Sequence, residues 1–271
     1  MSVTEMQPVR LVDHVSGYGP AMLLVHGGSG SHRHWDRVRE PLSRNFRVHA
    51  PDLPGYGESP DAPGDPDGDA YIEVAAASLS ALLATDSAVD LVGFSFGGAV
   101  AAGVARVLGT RVRRLTLIGP GGFGKPVGRE IARRSRGETD SSAAHLREVA
   151  RHNLGTMMFA DAEAIDEATL DLQMWNLARS RFDSLRVSYQ DRVLDDVAHV
   201  GCPVQFIWGA NDVLAYPSPA ARAERVRIVR PDAELHIVPG GGHWTQYECP
   251  DAVVRLLNHF HAPAAARTEN T

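Results

Sequence analysis

The sequence predicts an α/β fold with a mostly parallel central sheet, helices on both faces and a helical cap insertion. Two features of the 271 residues predict the sheet: short apolar runs that each end in a glycine-rich turn, and helical segments alternating with them. A third, a long helical stretch after the fourth run, predicts the cap.

The runs come in a regular series. Residues 21–25 lead into His26-Gly-Gly-Ser-Gly30, and residues 46–50 into Pro51-Asp-Leu-Pro-Gly55. Residues 89–92 lead into Gly93-Phe-Ser-Phe-Gly97, and residues 115–118 into Gly119-Pro-Gly-Gly122. Residues 204–208 lead into Gly209-Ala-Asn-Asp212, and residues 235–238 into Pro239-Gly-Gly-Gly-His243. Runs of four or five apolar positions read as strands buried on both faces. Residues 9–15 read as an added antiparallel edge strand. Helical spacing covers 70–83, 96–108, 219–229 and 251–260. Residues 123–200 hold no buried-strand pattern and read as amphipathic helices. A crossover needs only about a dozen residues, so this longer stretch is read as a cap over the carboxyl edge of the sheet. The expected organisation is core (1–122), cap (123–200), core (201–262) and a disordered tail (263–271). Residues 60–69, rich in Pro, Gly and Asp, read as an exposed loop.

Composition narrows the function classes. The formal net charge of −6 argues against nucleic acid and anionic membrane as partners. No stretch reaches the ~18 apolar residues that span a bilayer, and the first ten residues carry no apolar leader segment. The two cysteines, Cys202 and Cys249, have neither metal-type nor redox-type spacing. They read as reduced structural thiols of a cytoplasmic protein.

The chemistry concentrates at the strand ends. Gly93-Phe94-Ser95-Phe96-Gly97 is a G-x-S-x-G match standing where a buried strand gives way to a helix. That is the context of a nucleophile elbow. Glycines two positions either side of the serine remove Cβ atoms that would collide with neighbouring backbone, and the helix N-terminus favours a developing anion. A serine hydroxyl needs a base. His243, one of twelve histidines, stands apart by its place in the turn after the last strand. An imidazole in that role needs a carboxylate to fix its tautomer. Asp212, just past the fifth strand, supplies it, whereas the turn after the fourth strand offers no acid. Oxyanion donors are expected from the N–H of Phe96 and from the loop after the first buried strand, at Gly28 or Ser29. His26 reads as a brace for that loop. His32 and His34 form an H-x-H pair without an evident third ligand, so no metal and no cofactor are expected.

Together these features resemble the α/β-hydrolase superfamily over about residues 9–261, and the chain order Ser, Asp, His is that superfamily's order. Asp52-Leu-Pro-Gly-Tyr-Gly-Glu-Ser59 resembles the turn after the second core strand in capped members. Gly241-Gly-His-Trp-Thr-Gln-Tyr-Glu248 resembles the histidine segment of the meta-cleavage-product hydrolases, which split a carbon–carbon bond in dienoates. The resemblance implies a cofactor-free serine hydrolase of C–C or ester bonds acting on a small, largely apolar molecule. It departs at Phe94, where many of those enzymes have asparagine, and it implies a cap arginine for a substrate carboxylate, with Arg179 and Arg181 on offer. Phe94, Trp175, Arg179, Arg181 and Trp244 are the expected substrate contacts, with Met157, Met158 and Phe159 as further cap candidates. Two other readings compete: a catalytically silent binding protein of the same fold, and a triad turned to lyase or acyl-transfer chemistry. The sequence leaves the substrate and the oligomeric state open, a homodimer being one allowed state.

Overall fold

A computed structural model describes residues 7–128, 130–135 and 142–262, so the expected tail at 263–271 lies outside the described residues. The strands are β1 (Asp13–Ser16), β2 (Ala21–Val25), β3 (Arg47–Pro51), β4 (Val89–Phe94), β5 (Val112–Ile118), β6 (Val204–Gly209) and β7 (Glu234–Val238). They form one seven-stranded sheet in the order β1-β3-β2-β4-β5-β6-β7. Only the β1–β3 pair is antiparallel. Successive strand side chains point to opposite faces, and both faces are apolar. Leu23, Leu91, Leu117 and Phe206 enter one core cluster, while Met22, Leu24, Val92 and Ile207 enter the other.

Helices cover both faces. On the first lie α2 (Gly68–Leu82), α3 (Phe96–Leu108) and α8 (Pro219–Val229), which bury Ile72, Val100 and Val226. On the second lie α1 (Asp36–Leu42), α9 (Thr245–Glu248) and α10 (Pro250–His261), which bury Val38, Leu42, Tyr247, Val253 and Leu257. Helix α2 begins at Gly68 because the Asp67 side chain accepts from Ala70 N–H. Helix α8 begins with Ser218 as cap and Pro219 in its first turn.

Two expectations need correction. The edge strand is Asp13–Ser16, later and shorter than the predicted 9–15. The N–H groups of Val9 and Val12 go instead to the hydroxyls of Ser78 and Ser59, at 2.9 and 2.8 Å. Strand β7 is not buried on both faces: Ile237 is 43% exposed, because β7 is the far edge of the sheet. Helix α1, before β3, was not foreseen.

Between β5 and β6 lie α4 (Ala143–Met157), α5 (Glu167–Ala178), α6 (Leu185–Ser188) and α7 (Val193–Ala198). Among the described residues of this stretch the only β pairing is an isolated bridge, Phe123 to Asp191. Cys202 is buried, Cys249 is half-buried and both are free thiols. Among the described residues no helix is long and apolar enough to cross a membrane.

Candidate active site

Strand β4 delivers Ser95 at its carboxyl end, and α3 starts with the next residue. Ser95 has φ 53° and ψ −119°, a conformation a non-glycine residue holds only under constraint. The constraint is visible: Ser95 N–H donates to Ile118 O at 2.9 Å, while Ser95 O accepts from Gly98 and Gly121 N–H, each at 2.9 Å. The turn passes so close to β2 that a Cβ on Gly97 would lie 2.2 Å from His26 O and 2.4 Å from Val25 O.

Strand β6 carries Asp212 and β7 carries His243, each in the turn after the strand. Gly209 lets these turns touch, since a Cβ there would lie 2.2 Å from Gly242 O. Three side chains from three strand ends meet in one row. Ser95 Oγ is 2.9 Å from His243 Nε2, and His243 Nδ1 is 3.0 Å from both Asp212 carboxylate oxygens. Asp212 Oδ1 also accepts from the N–H groups of Leu214 (2.9 Å) and Ala215 (3.2 Å), which fixes the carboxylate behind the ring. Asp212 and His243 are each 3% exposed. A buried carboxylate on Nδ1 keeps the proton there and leaves Nε2 as acceptor for the serine hydroxyl.

The histidine turn is tied to the inserted helices, which its sequence did not reveal. The Glu248 carboxylate accepts from Gly242 N–H and from Ala160 N–H, both at 2.8 Å. Trp244 N–H donates to Met158 O at 2.8 Å. Burial raises the Glu248 pKa despite the opposing N–H donors.

The loop after β2 is braced by a second set of bonds. His26 Nδ1–H donates to Gly27 O at 2.8 Å, and Nε2 accepts from Leu53 N–H at 3.0 Å. Both nitrogens are committed to the neutral form, and full burial lowers the pKa to about 4. Between pH 6.5 and about 4 the unfolded chain takes up a proton that folded His26 refuses, so stability falls as pH drops through that window. We expect urea unfolding to show about 2 kcal/mol less stability from this group at pH 5 than at pH 7. A His26→Gln variant should lose correspondingly less stability than wild type over the same interval; identical losses would refute the assignment.

Asp52 completes the brace. Its carboxylate accepts from the backbone and ring N–H groups of His32 (2.8 and 3.0 Å) and from Glu58 N–H (2.9 Å). Burial alone would raise its pKa, but these bonds and the nearby His26 hold it at about 2. His14, His32 and Asp52 bring possible metal-ligand atoms within 4.8 Å of one another. The two imidazoles stack face to face, with centroids 3.5 Å apart and planes 22° apart. Their in-plane lone pairs therefore run side by side rather than converging on one ion, and Asp52 is already occupied. The cluster acts as a loop brace. His34, the other half of the H-x-H pair, is not part of it.

Above Ser95 opens a cavity of about 850 Å³. Gly28, Ser29, Phe94, Phe96 and His243 line it, with Met157 and Met158 from the inserted segment. Its walls also include His34, Leu154, Met174, Leu177, Ser184 and Arg222, and its mouth carries the exposed Lys125, Arg133 and Arg134. Five expected contacts stand elsewhere. Trp244 is fully buried, stacked on Tyr247 at 4.1 Å. Trp175 lies outside the cavity wall, with the Arg179 guanidinium 4.3 Å from its ring centroid. Arg181 is drawn away by Asp61 and the carbonyls of Ser59 and Arg179. Phe159 packs against Trp244 at 5.9 Å rather than facing the cavity.

A family profile described as "Alpha/beta hydrolase family" matches residues 22–256, and the chain belongs to that family. It is a hydrolase-fold enzyme whose relatives by sequence include dienoate hydrolases. It is 29% identical over 262 residues to the 2-hydroxy-6-oxo-2,4-heptadienoate hydrolase of Pseudomonas putida, covering 92% of this chain and 91% of that one. It is 28% identical over 264 residues to the 2-hydroxy-6-oxo-6-phenylhexa-2,4-dienoate hydrolase of Burkholderia cepacia, covering 91% and 89%. Among solved structures, a thermophilic esterase from Thermogutta terrifontis superposes with TM-score 0.74 at 24% identity, covering 92% of each chain. A meta-cleavage product hydrolase from Pseudomonas fluorescens gives the same score and identity, covering 92% of this chain and 93% of that one.

Proposed function

We propose that this chain is a serine hydrolase that cleaves carboxylic esters of small, largely apolar substrates. The hydrogen-bonded row Ser95–His243–Asp212 carries the reading. Ser95 Oγ attacks the substrate carbonyl as its proton passes to His243 Nε2. Asp212 stabilises the imidazolium that results. The oxyanion is met by the N–H of Phe96, the first residue of α3, and by Gly28 N–H; neither has a backbone acceptor among the described residues. The imidazolium then gives its proton to the leaving alcohol, and water cleaves the acyl-enzyme by the same steps in reverse. Residues 123–200 serve as the cap, holding apolar groups such as Leu154, Met174 and Leu177 over the nucleophile.

The ester reading is supported by where the arginines stand. Neither Arg179 nor Arg181 lines the cavity, so the carboxylate clamp implied by the ring-cleavage resemblance is missing at those positions. A second reading, cleavage of a C–C bond in a dienoate, is supported by the sequence relatives and by Lys125, Arg133 and Arg134 at the cavity mouth. A panel of p-nitrophenyl esters of several chain lengths with one ring-cleavage dienoate separates the two. Turnover of short esters with no consumption of dienoate is expected. The reverse result establishes the second reading, and turnover of neither substrate leaves a binding protein of this fold.

A further inference from the structure

His34 lines the cavity, is 2% exposed, and has no part in the steps above. Its ring stands edge-to-face with Phe94 at 5.4 Å and with Trp244 at 4.8 Å. Phe94 is in turn 5.1 Å from the ring of His243, so one phenyl ring neighbours both imidazoles. Trp244 Nε1–H donates to His34 O at 3.3 Å, which holds this backbone in place.

The ring's proton can be located. Gly27 N–H donates to His34 Nδ1 at 3.2 Å, so Nδ1 carries a lone pair. Burial, with His26 and His243 adding repulsion, keeps the ring neutral. A neutral imidazole with Nδ1 as acceptor has its hydrogen on Nε2. Among the described residues no acceptor meets Nε2, and that atom is not sealed in the packed interior. A desolvated donor is costly until something accepts from it.

We propose that His34 Nε2–H is a specificity-determining hydrogen-bond donor to the substrate. It selects molecules with an oxygen acceptor, a keto or ether oxygen, a short distance from the scissile carbonyl, over plain hydrocarbon chains of equal length. A site built to hydrogen-bond a substrate oxygen discriminates against the analogue that lacks it, because the protein donor is then left unpaired. The proposal rests on the serine-hydrolase reading for the identity of the scissile bond, but not for the existence of the donor.

The test compares p-nitrophenyl 4-oxopentanoate with p-nitrophenyl pentanoate on wild type, His34→Leu and His34→Gln. Wild type should favour the keto ester in kcat/KM by about tenfold, the worth of one neutral hydrogen bond at its upper range. His34→Leu should bring the ratio near one while still hydrolysing the plain pentanoate. His34→Gln, which can place an amide N–H near the same point, should restore part of the preference. A ratio near one in wild type, or an unchanged ratio in His34→Leu, overturns the proposal. Fluorophosphonate labelling of each variant reports the nucleophile separately, so loss of labelling marks failure of the hydrolase reading instead. The binding arm needs no turnover and no folded His34→Leu. Calorimetry on Ser95→Ala should give a Kd for 4-oxopentanamide about tenfold below that for pentanamide, and equal values overturn the proposal.

Discussion

Ser95→Ala is expected to lower kcat on any ester the wild type hydrolyses by about 10⁴-fold or more, and to abolish fluorophosphonate labelling. The hydroxyl is the group in bonding contact with His243 Nε2, at 2.9 Å, and alanine leaves the base with nothing to activate. The residual rate would come from the oxyanion donors and the bound geometry alone. Stability should barely change, because alanine must hold the same left-handed backbone that serine holds. Ser95→Gly separates the two properties. It removes the same nucleophile but relieves a φ of 53°, a strain of about 1–3 kcal/mol. Its Tm should therefore rise by a few degrees. Full activity or labelling in either variant would sink the assignment of the nucleophile.

Gly97→Ala is expected to have the largest effect on folding. The added methyl would lie 2.2 Å from His26 O, 2.4 Å from Val25 O and 2.8 Å from the carbonyl carbon of His26. All three are backbone atoms of β2 and its following turn, so no side chain can swing aside. Either the start of α3 or the turn after β2 must move, and Ser95 stands immediately before α3. A loss of at least ~3 kcal/mol is expected, which for a domain of this size is a fall in Tm of about 10 °C. Gly201→Ala is the control, since a Cβ there meets nothing within 4 Å, and its Tm should stay close to wild type. Calorimetry on the pair decides the matter: equal melting temperatures would show that the elbow tolerates the methyl.

The parts legible in sequence were those that local chemistry fixes. Residues 21–25 form a strand because five consecutive apolar residues must be covered on both faces, and Pro219–Val229 is a helix because its cap and first-turn proline are written beside it. Ser95, Asp212 and His243 could be singled out because each follows a strand, and a parallel sheet brings its carboxyl ends to one rim. Their order along the chain added weight that no single residue carried.

The parts that failed depend on partners far away in sequence. Arg181 looked like a substrate ligand, but Asp61, 120 positions earlier, holds it outside the cavity. Trp244 follows the histidine directly, yet the packing of Tyr247 and His34 turns it into the core. The H-x-H spacing marks His34 only as half of a metal pair. Its actual place follows from Gly27 N–H and from two aromatic rings supplied by β4 and the histidine turn.

The amino-acid order by itself determined the sheet, its helical layers and the three strand ends where chemistry gathers. These follow from patterns a few residues long, and burial of apolar faces enforces them wherever they occur. The tertiary structure alone decided which arginines were spent on neighbours, which tryptophan became core and which imidazole faced the cavity. A polar side chain's role is set by the nearest acceptor, donor or ring in space, and a linear sequence does not say which of its distant segments will be near.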